Sequence, residues 1–197
     1  MKYIKMISAL ITISLFIPVS ANAQFSNEDI QRATLPLPEE LRTDATVFFY
    51  DESGERVLLR TGTNHVECQP KHVDGYTRCS STSSSERTDF TARMTAQGMS
   101  GEELQAALDE AEMNGLLPPQ EIGSIRYYRY EENDRINLLW VVALPYALSE
   151  DIGMPTASQR ENAIAGIGLP WMMLEGTSDA HLMIPINATE FSNPISH

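Results

Sequence analysis

The residues best suited to chemistry lie close together, in Pro170-Trp171-Met172-Met173-Leu174-Glu175-Gly176-Thr177-Ser178-Asp179-Ala180-His181-Leu182-Met183-Ile184-Pro185. A hydroxyl nucleophile, an imidazole base and a carboxylate orienter are the parts of an acyl-transfer site. Ser178 or Thr177, His181, and Asp179 or Glu175 supply those types. The strained Gly-x-Ser-x-Gly elbow that usually presents such a serine is absent. Asp179 and His181 stand two apart, so on a strand they share a face without having to touch. The same stretch offers a soft-metal alternative. His181 and Met183 project to one face of a strand, and Met172 or Met173 could join them from the strand before. Thioethers with one imidazole suit Cu(I). Methionines also fill irregular core gaps, and that duller role is the one expected here, with no metal and no cofactor assigned.

Other chemistries lack their signatures. Gly166-Ile167-Gly168 runs into Leu169-Pro170 rather than a helix-opening glycine, which excludes a dinucleotide loop. No Asp-x-Asp-x-Asp-Gly calcium loop occurs. Arg126, Tyr127, Tyr128, Arg129 and Tyr130 form an aromatic and basic stripe that could stack sugars or bases, but a half-exposed strand is the simpler account. Across 197 residues, 14 Lys and Arg face 27 Asp and Glu, a net charge of -13. Such acidity argues against nucleic acid and anionic membranes as partners.

The elements that must position these residues can be read in outline. Lys2 and Lys5, the apolar run Met6–Ile17 and the small-x-small Ala21-Asn22-Ala23 are the three parts of a secretory signal. Cleavage after Ala23 is expected, giving a periplasmic or secreted product more acidic by two charges. No later apolar run is long enough for a permanent membrane span. An oxidising compartment favours a bridge between Cys68 and Cys79, the chain's two cysteines. Pro70 and Asp74-Gly75 between them predict a hairpin, with His65 and His72 beside it.

Residues 24–44 read as an extended lead-in, with one helical turn at Pro38–Arg42. Residues 45–187 read as a single α+β domain, and 188–197 as a loose tail. Ala45–Tyr50 and Arg56–Arg60 form a hairpin, and Ser80–Ser85 a linker. Two helices follow, the first capped by Ser85. The second carries a capping box, Ser100 with Glu103. Its Glu102, Glu103, Asp109, Glu110 and Glu112 read as a solvated face. Ile122–Tyr130 and Arg135–Leu144 are strands, the second apolar on both faces and so central. Ser149–Asn162 reads as a surface loop, with a short helix near Ser158–Ala165. Trp171–Leu174 and His181–Ile186 are the last strands. The expected fold is a mostly antiparallel sheet with a two-helix insert after a disulfide hairpin.

Leu58-Leu59-Arg60-Thr61-Gly62-Thr63-Asn64 with Cys68, and His181-Leu182-Met183-Ile184-Pro185, carry a further signal. The chain resembles uncharacterised exported bacterial proteins that pair an "LRxGTN…C" segment with a late "HLMIP"-like strand. The resemblance implies no activity, but it singles out Asn64 and His181 as candidate binding positions. Together these features favour an exported binding or interaction domain. The alternative is a hydrolase or metal-binding protein centred on His181.

Overall fold

The computed structural model describes residues 25–71, 75–131 and 136–186; the expected signal, the tip of the cysteine hairpin and the tail lie outside them. One eight-stranded sheet organises the chain: β1 Thr46–Tyr50, β2 Arg56–Arg60, β3 Val66–Gln69, β4 Tyr76–Ser81, β5 Ile125–Tyr130, β6 Leu138–Ala143, β7 Trp171–Met173 and β8 His181–Pro185. Its order is β2-β1-β3-β4-β5-β6-β8-β7. Every pairing is antiparallel except β1 with β3. That exception follows from the chain between Arg60 and Val66, which crosses under β1. At Gly62 a Cβ would lie 2.3 Å from the Thr46 amide nitrogen, so only glycine passes there.

Side-chain alternation gives the sheet two different faces. One face carries Val47, Val66, Cys68, Cys79 and Tyr127, all buried. Cys68 and Cys79 stand directly opposite one another on β3 and β4 and are joined by a disulfide, with their Cα atoms 4.0 Å apart. The N-terminal segment covers this face through Ala33 and Leu37, and the Ala33 carbonyl oxygen sits 3.3 Å from Cys79 Sγ. That segment is more ordered than an extended lead-in. Asn27–Arg32 is helix α1, because Ser26 and Asp29 form a capping box: the Asp29 amide donates to the Ser26 hydroxyl at 3.2 Å, and the Ser26 amide donates to the Asp29 carboxylate at 2.9 Å. The single turn at Glu39–Arg42, α2, follows as expected.

The other face carries Phe48, Tyr50, Arg56, Glu67, Arg78, Ser80, Arg126 and His181, brought into line by the strand registers. Helices α3 Ser85–Ala96 and α4 Gly101–Met113 belong to this side; Leu108, Ala111 and Leu117, with Phe90 and Leu104, make the small core of the pair. The serine run is not a linker. β4 extends to Ser81, a 3-10 turn spans Thr82–Ser84, and α3 starts at once with Ser84 as its N-cap. Ser100 does occupy the N-cap of α4, but its side chain makes no cap hydrogen bond, so the expected capping box does not form. The helical turn α5 Ser149–Ile152 interrupts the stretch read as a loop, and α6 Arg160–Ile164 is the short helix expected near Ser158–Ala165. Ala163 of α6 packs on Leu139, Val141 and Trp171.

β6 lies between β5 and β8, the central place expected of its doubly apolar sequence, although burial is deeper on the face of Leu139, Val141 and Ala143 than on the other. No helix among the described residues is long and apolar enough to cross a membrane.

Candidate functional site

A cavity of about 280 Å³ opens between the α3–α4 pair and the sheet. Its floor is made by Arg78 and Ser80 of β4, Arg126 of β5 and His181 of β8. These come together because β4 and β5 pair with Ser80 opposite Arg126 and Arg78 opposite Tyr128. His181 stands opposite Ala143 of β6. Arg87, Thr88 and Thr91 of α3, with Gln105 and Leu108 of α4, line the other side. Leu174 and Asp179, from the connection between β7 and β8, close one end. Leu174 is held left-handed at φ 55, a conformation that costs a bulky residue about 1–3 kcal/mol and collects at functional sites.

The electrostatics of this cavity run against those of the chain. Three guanidinium groups line it, in a protein of net charge -13. Arg126 and Arg78 have no hydrogen-bond or ion-pair partner among the described residues, and Arg126 Nε is buried besides. Arg87 is paired on one side only: its Nη2 meets the Glu112 carboxylate, while Nε and Nη1 are buried without acceptors. A buried guanidinium without an acceptor is costly, so such groups are normally satisfied. Asp179 is the one carboxylate among the lining residues. The Ser80 hydroxyl, on a residue only 4% exposed, makes no hydrogen bond among the described residues. Thr88 and Thr91 donate to the Ser84 and Arg87 carbonyl oxygens, each at 2.8 Å, which leaves their oxygens only as acceptors. The helix face read as solvated is therefore partly structural. Glu112 holds Arg87, and Asp109 accepts from Gln105 at 3.0 Å and Ser178 at 3.1 Å.

His181 is half-buried, and its Nδ1 lies 2.6 Å from the Asp179 carbonyl oxygen. A carbonyl only accepts, so Nδ1 carries the proton and Nε2 the lone pair. Burial lowers the imidazole pKa, and nearby Arg126 pushes the same way against the Asp179 backbone and carboxylate. The ring is therefore neutral at pH 7, and the positive charge of the cavity comes from its arginines.

The sequence candidates divide sharply. His181 and Asp179 both line the cavity. Ser178 donates to Asp109 and Thr177 to the Leu174 carbonyl oxygen, so the recorded bonds do not join either hydroxyl to His181. Glu175 accepts the Ser149 amide at the start of α5. Asn64 works on the far side of the sheet: its Nδ2 donates to the Leu41 carbonyl oxygen and its Oδ1 accepts the Val66 amide. Of the methionines, Met183 and Met173 share the His181 face, whereas Met172 is buried on the opposite one. In the aromatic stripe, Tyr128 and Tyr130 stack on the cavity side, while Tyr127 packs edge-on against Trp140 beneath. Sequence reasoning missed Arg78 and Arg87 and gave Arg126 only a place in the tyrosine stripe. No family model, curated protein or solved structure matches the chain.

Proposed function

We propose that this protein is an exported binding domain that holds a small anion in the cavity between its helix pair and its sheet. The observation that carries the reading is the set of three arginines around one recess, two of them without a partner and one half-partnered among the described residues, in a strongly acidic chain. Positive charge concentrated in a cleft with low-dielectric walls attracts an anion that the rest of the surface repels. At about 280 Å³ the recess sits at the low end of small-ligand sites, roughly 300–1,000 Å³, so the ligand is a small molecule. Export rests on the charged, apolar and small-x-small segments of residues 1–23 and is in keeping with the Cys68–Cys79 disulfide. The Ser178 and Thr177 hydroxyls bond to Asp109 and the Leu174 carbonyl oxygen rather than to His181, which favours the imidazole as a wall of the recess over the base of a hydrolytic relay.

Thermal unfolding with a panel of small anions at constant ionic strength tests the reading. A ligand at 100 times its Kd stabilises by about 2.7 kcal/mol. A rise in Tm of roughly 5–10 °C is expected for at least one anion, and neutral sugars should give none. In Arg126→Met the rise should disappear. Equal shifts from every salt, unchanged in Arg126→Met, would refute the reading.

A further inference from the structure

We infer that the anion is tetrahedral: a phosphate or sulfate group, free or carried as the ester of a small molecule. This rests on the anion-binding reading above and narrows it. A carboxylate is planar, and one guanidinium satisfies it through two parallel bonds in that plane. The donors here come from two sides. Arg78 and Arg126 rise from neighbouring strands of the sheet floor, and Arg87 comes from α3 across the recess. Oxygens pointing in several directions at once are needed to meet all three, and a tetrahedral oxyanion has them. The neutral donor on the floor, the Ser80 hydroxyl opposite Arg126, supplies a further bond of the kind phosphate and sulfate oxygens accept.

Glu112 offsets much of Arg87, and Asp179 lines the recess as well, so the cavity keeps a net positive charge that admits an anion. The choice among anions is set by the donor geometry. No Phe, Tyr or Trp among the described residues lines the cavity, and its volume fits a small ester better than a nucleotide.

Isothermal titration calorimetry on the mature chain decides the matter. Sodium phosphate, sodium sulfate, glycerol phosphate, succinate and acetate are compared, with ionic strength held constant by sodium chloride. Phosphate or sulfate should bind at least tenfold more tightly than succinate or acetate. Tighter binding of glycerol phosphate than of free phosphate would assign the site to an ester, and the reverse order to the free ion; both support the inference. Ser80→Ala, which leaves every charge in place, should weaken phosphate binding roughly tenfold without altering the fold seen by circular dichroism. Succinate binding as tightly as phosphate would overturn the tetrahedral assignment and leave the anion site standing. Phosphate affinity untouched by Ser80→Ala would overturn the placement of the group on the sheet floor. No binding by any of the five would overturn both readings.

Discussion

Arg56→Met should destabilise the protein by about 3–5 kcal/mol, the cost typical of stranding a buried charge. Glu67 is 4% exposed, on the helix-facing side of β3. Arg56 reaches it from β2 with two hydrogen bonds, at 2.6 and 3.1 Å. The same guanidinium donates to Asp89 of α3 at 2.7 and 3.0 Å and lies 3.7 Å above the Phe48 ring. Tyr50 donates to Asp89 at 2.6 Å, and burial together with that bond pushes its hydroxyl pKa well up. One arginine thus ties α3 to two strands. Methionine keeps much of the volume and removes the charge, which leaves Glu67 with only the Ser85 hydroxyl at 2.9 Å. A second substitution separates this account from simple loss of packing. Arg56→Met/Glu67→Gln should recover much of the loss, because the stranded carboxylate is gone. Urea unfolding of the three proteins measures both quantities. A single-variant loss below about 1 kcal/mol, the ordinary worth of an exposed pair, would contradict the account.

The paired variant Cys68→Ala/Cys79→Ala should cost about 3 kcal/mol, from the loop-closure entropy the bridge removes from the unfolded chain at a sequence separation of 11. The two positions face each other across β3 and β4, at the centre of the core beneath Ala33 and Leu37. Two alanines there also leave unfilled space against those residues, which adds to the loss. The urea midpoint of the variant, compared with that of the oxidised parent, gives the number. A change under about 1 kcal/mol would mean that the bridge constrains little that the sheet does not already hold.

Elements whose signal is local were legible in the sequence. Pro70 and Asp74-Gly75 between two cysteines gave the β3–β4 hairpin and its bridge. Apolar residues on both faces of 135–144 place β6 inside the sheet. α1 has little signal in the sequence because its six residues bury nothing, and Leu35-Pro36-Leu37-Pro38 after it favours extended chain. Ser100 and Glu103 matched the capping-box pattern, yet the Ser100 side chain makes no cap bond, since sequence spacing does not fix a rotamer.

The cavity was largely illegible for a different reason. Arg78 of β4 and Arg87 of α3 are close in the chain, but Arg126 of β5 follows only after α4, and each alone looks like a surface cation. Only sheet order and register bring Arg126 beside Ser80 and set α3 over them. His181 was found because it stands among other reactive side chains, although the partner that defines it, the Asp179 carbonyl oxygen, belongs to the backbone and has no sequence signature.

The most direct test of the anion site is the response of individual arginine Nε–H resonances in ¹⁵N-labelled protein titrated with phosphate and then with succinate, at constant ionic strength. Arg60, whose guanidinium donates to the Ala45 and Arg42 carbonyl oxygens outside the cavity, serves as the internal reference. The account predicts that Arg87 and Arg126 shift together and saturate with a single Kd for at least one of the two anions, while Arg60 stays still. Uniform, unsaturating drift of all three, or no movement with either anion, would contradict it.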